Sequence, residues 1–324
     1  MTKHYFCTLF DSNYLLKGVA MLQSLYRNCP GAHVHVLCMD AQTQDILSKL
    51  DLPQITCIPL SMLENDELLA AKANRGLAEY CWTLSPCLPW YVLQHNPDID
   101  FITYLDADLL FYSPVQPIFD EIGSHSIAII EHRFTPRLLD REVNGRFCVE
   151  WVSIRRNAEG LACLSRWRDQ CIEWCYYRLE EGRMGDQKYL DEWPDRYSSC
   201  HILKHPGAGI APWNYDQYEF GKDPAGNITV QGVALIFYHF HQFQLLANGR
   251  FDRLSSFYTL ECHEPDPIYE AYESMLKSVL KQVRNVAPGF SGGLKPFFLL
   301  YVRRWTQRYI PSAIKDFLRR FIRH

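Results

Sequence analysis

Short apolar runs alternate with segments of helical periodicity over the first hundred residues, and this alternation restricts the fold more tightly than any other feature of the chain. "HYFCTLF" from His4 reads as a strand, "NYLLKGVAMLQSLYRNC" as a helix, and "AHVHVLCMD" as a second strand, together a βαβ unit. "QTQDILSKL" adds a short helix and "ITCIPL" a strand. "NDELLAAKANRGLAEYCWTL" is a helical stretch expected to end before Pro86, and "PWYVLQHN" is another helix ahead of the strand "FITYL". Parallel neighbours need crossover helices, so the expected fold class is α/β: a mostly parallel, doubly wound central sheet flanked by helices. Ligands of such sheets gather at the carboxyl ends of the strands.

Further along, "SIAIIEHR" and "CVEWVSI" read as strands and residues 158–182 as a long helix. "MGDQKYLDEWP" is a loop entering a short helix, "HPGAGIAPWN" a Gly and Pro loop, and "GVALIFYHFHQF" a strand with histidines at its end. "APGFSGG", 287–293, reads as a linker, which divides the chain into a body of 1–287 and a tail of 288–324. At 324 residues and 48% apolar composition the chain can bury a sizeable core. Twelve cysteines without a paired spacing pattern or a signal peptide suggest reduced thiols in a cytosolic compartment. Cys171 and Cys175 in "CIEWC" read as the buried face of a helix.

The stretch "FITYLDADLLFYSPV", 101–115, carries the chemistry. Strand alternation puts Asp106 and Asp108 on one face of a strand end, and two carboxylates aimed at one place are unfavourable unless a positive group sits between them. A divalent cation such as Mn²⁺ or Mg²⁺ is the simplest such group, with an Asp helix cap and a solvated partner as the alternative from this motif alone.

The tail has a different character. Residues 295–324 carry eight Lys or Arg against one acid, a net charge of +7; with the whole chain at −4, the first 294 residues carry −11. Ile314, Phe317, Leu318 and Phe321 recur at the spacing of one helix face, and Phe297, Phe298, Leu300, Tyr301 and Trp305 form an earlier aromatic and apolar group. A basic amphipathic helix of this kind suits an anionic membrane surface, with packing on the acidic body or on a partner protein as the alternative. Basic residues confined to one end of a chain with pI 6.3 argue against nucleic acid. No apolar run is long enough to predict a spanning helix.

"LFDSNY", "YLDADLLF", "GDQKYL", "APWN" and "FYHFH", in this order over roughly residues 4–245, resemble the nucleotide-sugar-dependent glycosyltransferases of the GT-A fold. The likeness is to family 8 and related bacterial enzymes that build surface polysaccharide and lipopolysaccharide. It implies a metal site of Asp106, Asp108 and His239, with His241 as the alternative histidine. It also implies a nucleotide-sugar site drawing on Thr8, Asp11, Asn13, Tyr14, Lys72, Arg75, Asp106, Ala107, Asp108, Trp213 and Asn214. In that site Tyr14 stacks on a uracil ring and Asp11 accepts from its N–H; read locally, Asp11, Ser12 and Asn13 are a helix-cap cluster. Asp186 is expected to hold the transferred sugar, with Gln187 beside the anomeric carbon. An amide is a poor nucleophile, so retention by a front-face route is the expected stereochemistry.

Two departures from the family pattern stand out. "RFCVEW" puts Cys148 and Glu150 where Asn and Gly are usual, which is expected to crowd or recharge the sugar pocket. After His239 the usual Gly and Lys-Pro-Trp are missing, leaving Lys72, Arg75 or the metal alone for the diphosphate; Lys72, Arg75 and Glu79 are spaced on one helical face, which read locally is a solvated surface with an internal ion pair. The expected activity is metal-dependent hexose transfer from a UDP-sugar to a glycolipid or lipopolysaccharide acceptor at the inner face of the cytoplasmic membrane. An inactive membrane-docked scaffold and a nucleotidyltransferase are the alternatives, the latter disfavoured because "CTLFDSNY" is neither Gly-rich nor basic.

Overall fold

The computed structural model describes residues 3–254, 258 and 266–298. β1 (His4–Phe10), α1 (Leu15–Asn28), β2 (Ala32–Cys38), α2 (Ala41–Lys49) and β3 (Ile55–Pro59) form the expected opening alternation. Next come α3 (Leu60–Leu63), α4 (Asp66–Lys72), α5 (Leu77–His95), β4 (Phe101–Leu105), β5 (Leu109–Phe111), α6 (Gln116–Ile122) and β6 (Ile127–Glu131). β7 (Phe147–Arg155), α7 (Ala158–Glu173), α8 (Trp193–Arg196) and β8 (Cys200–Leu203) complete the main layers. Short strands follow: β9 (Phe220–Lys222), β10 (Ile228–Val230), β11 (Val233–Ala234), β12 (Phe237–His239), β13 (Gln244–Leu246) and β14 (Phe251–Asp252). α9 (Asp266–Val286) and β15 (Leu294–Lys295) close the described chain.

Seven strands make the central sheet in the order β3-β2-β1-β4-β7-β6-β8, and only the pairings of β7 are antiparallel. β1 lies inside the sheet and is apolar on both faces, as a strand covered by helices on either side must be. α1, α2 and α9 cover one face, while α5 and α7 cover the other. The chain leaves β1 toward β2 and β3, then returns to place β4 on the opposite flank of β1. The loops after β1 and β4 therefore diverge from neighbouring strand ends, a switch point of the kind at which such sheets bind ligands.

Several boundaries differ from the periodicity reading. The helix expected to stop before Pro86 instead runs through Pro86 and Pro89 to His95. Tyr80, Leu84, Leu88 and Val92 form its buried stripe, and their burial offsets the roughly 3 kcal/mol that an interior proline costs. The break falls earlier, where Gly76 caps α5 and donates its amide to Glu79 Oε2 at 2.8 Å. Lys72, Arg75 and Glu79 thus sit on an interrupted segment, not on one helical face. α7 ends at Glu173 instead of 182, its last carbonyls taken by Arg75, which donates to Cys171 O at 2.8 Å and Ile172 O at 2.5 Å. Cys171 is buried on α7 as expected, whereas Cys175, also buried, lies two residues past the helix end.

The stretch 287–293 is no free linker. Phe290 is buried, Gly292 and Gly293 lie against the Ser12 and Asn13 carbonyls with no space for a side chain, and β15 pairs with β13. The body therefore reaches at least to Lys295. Residues 314–321, expected to form an amphipathic face, lie outside the described residues. No described helix is long and apolar enough to cross a membrane.

Candidate active site

Three strand ends assemble the site. β4 delivers Asp106 and Asp108 just past Leu105, and β7, antiparallel to β4 with Trp151 opposite Leu105, brings Glu150 beside Asp106. The Asp106 amide donates to the Glu150 carbonyl at 3.3 Å. The register of β7 against β6 jumps between Ile129 and Ile130, a bulge of the kind that re-aims side chains near active sites. β5 pairs antiparallel with β12, Leu109 opposite His239, and the Phe240 amide donates to the Asp108 carbonyl at 2.9 Å. That pairing carries His239 to the two aspartates across 130 residues of sequence.

The buried imidazole of His239 is held at both nitrogens. Nδ1 lies 2.6 Å from Glu150 Oε2, while Nε2 lies 3.0 Å from Asp108 Oδ1 and 3.9 Å from Asp106 Oδ2. Glu150 is fully buried and turned onto the histidine, so the expected crowding of a sugar pocket gives way to a carboxylate that orients the His239 ring. Burial alone would lower the His239 pKa, but Asp108, Cys148 and Glu150 outweigh it and hold the ring well above the usual histidine range. The imidazolium is then the local cation. Burial would likewise raise Asp108, yet His239 and Lys17 keep it well below the ordinary carboxylate range. Asp106 is pushed up to about 7, first by burial and then by Asp108, Asp186 and Glu150, against the pull of His239.

These donors suit a divalent ion. Two ligand atoms each about 2.1 Å from one ion lie about 3.0–3.4 Å apart when adjacent; His239 Nε2 is 3.0 Å from Asp108, within that range, and 3.9 Å from Asp106, which would close on an ion by a small movement of its side chain. Asp106, Asp108 and His239 Nε2 would hold it. His241 would not: β12 ends at His239, and the His241 ring turns away to Tyr258, whose hydroxyl is 2.7 Å from Nδ1. Burial lowers its pKa to about 3, so this ring is neutral.

The other predicted residues divide. Asp186 is buried near Asp106, and its carboxyl is pushed up to about 7 by burial, with the Ser85 hydroxyl and its own loop amides pulling the other way. Gln187 donates to the Asn144 carbonyl at 3.0 Å. Asp11 caps its own turn: Oδ1 accepts from the Asn13 and Tyr14 amides, and Oδ2 from Asn13 Nδ2. Tyr14 is 44% exposed and open to stacking, and Ala107 is buried between the two acids. Thr8 is fully buried within β1 and has no open face for a ligand. Asn214 is also fully buried; its amide donates to the His132 and Gly209 carbonyls and accepts from the Ala211 amide, so it fastens a loop. Trp213 packs edge-on behind His239, ring centroids 5.1 Å apart. Gly209, at φ +69°, is required in that loop, because a methyl there would fall 2.4 Å from Ile130 Cδ1 and 2.9 Å from Glu150 Oε1.

Lys72 and Arg75 are corrected. Lys72 pairs with Glu64 at 2.7 Å, and Arg75 is spent on the end of α7. Besides the His239 imidazolium, the structure brings Lys17 to the acids, in the first turn of α1, with Nζ 3.5 Å from Asp108 Oδ2 and 4.5 Å above the Tyr14 ring. Its position three residues after Tyr14, just past the loop that ends β1, was the available signal. In the sequence Glu150 and Cys148 stand out only as departures from the family pattern.

No protein-family model matches the chain. It is 32% identical over 300 residues to the uncharacterized protein YfnD of Bacillus subtilis (strain 168), covering 91% of this chain and 96% of YfnD. It is 31% identical over 299 residues to YfnF of the same organism, covering 90% and 97%. Among solved structures, an active-site mutant of LgtC superposes with TM-score 0.52 at 16% identity, over 83% of this chain and 95% of the other. The apo form of the glycosyltransferase GlyE of Streptococcus pneumoniae TIGR4 gives TM-score 0.50 at 14% identity, over 87% and 64%. The seven-stranded sheet with its antiparallel β7 is the GT-A glycosyltransferase fold. The chain belongs to the family of YfnD and YfnF.

Proposed function

We propose that this protein transfers a hexose from a nucleotide-sugar, a UDP-sugar in the favoured case, to a glycan or glycolipid acceptor, with a divalent cation at Asp106, Asp108 and His239. The approach of both aspartates to His239 Nε2, at the switch point beside β1 and β4, carries the reading. When bound, such a cation neutralises the charge developing on a departing diphosphate. Lys17 and the amino end of α1 would face the same phosphates, a cation and a helix dipole both aimed at negative charge. Exposed Tyr14 offers its ring face to a base. Asp186, largely protonated below pH 7, can donate a hydrogen bond to a sugar hydroxyl and, once ionised, accept one. Gln187 beside it lacks a carboxylate nucleophile's reactivity, which supports retention by a front-face route.

The test is a panel of nucleotide-sugars incubated with and without Mn²⁺, following release of the nucleoside diphosphate. Cation-dependent release from one donor is expected. A folded protein that binds none of them would overturn the reading in favour of a scaffold.

The basic, aromatic tail from Lys295 supports a site of action on the anionic inner face of the cytoplasmic membrane, where lipid-linked acceptors are found. Phe317→Glu with Phe321→Glu is expected to release the protein from anionic vesicles in a sedimentation assay. Unchanged binding would refute the membrane assignment.

A further inference from the structure

Cys148 enters the β7 bulge two residues before Glu150, and its sulfur lies beside Asp106 and His239. Among the described residues, Asp106, Cys148 and His239 each offer a ligand atom within 4.8 Å of the others. Cys148 is buried at the edge of one hydrophobic cluster, as Cys7, Cys87 and Cys163 are in the other, and what sets it apart is a sulfur within reach of Asp106 and His239. Glu150 fixes the imidazole through Nδ1, so Nε2 is the nitrogen turned toward the acids.

We propose that Cys148 is itself a metal ligand, so that a thiolate joins Asp106, Asp108 and His239 and biases the site toward borderline-soft ions such as Co²⁺ and Zn²⁺ over Mg²⁺. This rests on the divalent-cation reading above and goes beyond its expectation of Mn²⁺ or Mg²⁺. A set made only of carboxylates and imidazole accepts hard ions readily, whereas a sulfur donor favours Zn²⁺ and its neighbours in the first transition row. The bond formed is metal to sulfur; the thiol proton and the Nε2 proton of the His239 imidazolium both leave to solvent as the ion binds, and no oxidant or reductant is involved. The ion remains a Lewis acid with positions open to phosphate oxygens, so the same site serves the proposed transfer with a different metal preference.

The experiment is titration of the full chain with Co²⁺ under reducing, anaerobic conditions, read by absorbance. Visible d–d bands report bound Co²⁺, and a near-ultraviolet thiolate-to-cobalt charge-transfer band reports sulfur ligation. Both are expected in the wild type, with the charge-transfer band lost and the d–d bands kept in Cys148→Ser, a near-isosteric change. The wild type also tests the preference without any variant: Zn²⁺ should bleach the charge-transfer band, and about a hundredfold excess of Mg²⁺ should not. Visible bands without charge transfer would overturn thiolate ligation while leaving the cation site standing. A charge-transfer band that survives Cys148→Ser would place the ligand on another cysteine and overturn the assignment. No cobalt bands at all would overturn both this inference and the cation reading.

Discussion

With Asp106 replaced by asparagine, cation-dependent release of the nucleoside diphosphate falls by roughly a thousandfold, about 4 kcal/mol of lost transition-state stabilisation, while the protein stays folded. The fold survives because Asp106 is held up to about 7, so its ionised form is already disfavoured in the absence of a cation. Asp108→Asn is expected to lose as much activity and also to destabilise the protein by about 3–5 kcal/mol, since it leaves Lys17 and the His239 imidazolium without their shared carboxylate. Donor turnover measured beside urea denaturation separates the two effects. Wild-type turnover in Asp106→Asn would remove that residue from the reaction. Equal stability of the two variants would refute the ion-pair geometry around Asp108.

Asp186→Asn should be more stable than the wild type at pH 8, no more stable at pH 4, and about a hundredfold less active. The sign follows from the shift. The folded-state pKa of about 7 lies above the unfolded 3.8, so the folded protein binds the proton more tightly. The stability this confers is fully present below pH 3.8 and is lost as pH rises through about 7, a change approaching 4 kcal/mol. Asparagine cannot ionise and avoids the loss, so its melting temperature at pH 8 should exceed the wild-type value by on the order of 5–10 °C. A difference that does not vary with pH would show that Asp186 is not held neutral by burial. The cost of keeping this carboxyl buried is expected where a site is built for chemistry and not for stability.

The opening βαβ unit, β4 and the acidic pair at its end were legible because each rests on short-range pattern: apolar runs, helical spacing, and two acids separated by one residue. Local pattern failed where burial outweighed propensity, as in the passage of α5 through Pro86 and Pro89. It also failed where a distant group set a boundary, as Arg75 does at the end of α7.

From the sequence alone, then, came the class of fold and the carboxylates that make a cation site chemically reasonable. The tertiary structure decided which histidine meets them, because Leu109 pairs with His239 across strands far apart in the chain and His241 falls beyond that strand's end. It replaced Lys72 and Arg75 with Lys17, since the first two are held by Glu64 and by α7 while α1 begins beside Asp108. And it turned Glu150 and Cys148 from departures into members of the site, through a bulge whose register depends on both neighbouring strands. Side-chain spacing along a chain is local, but convergence on one point is set by strand pairing and core packing, which no short stretch of sequence contains.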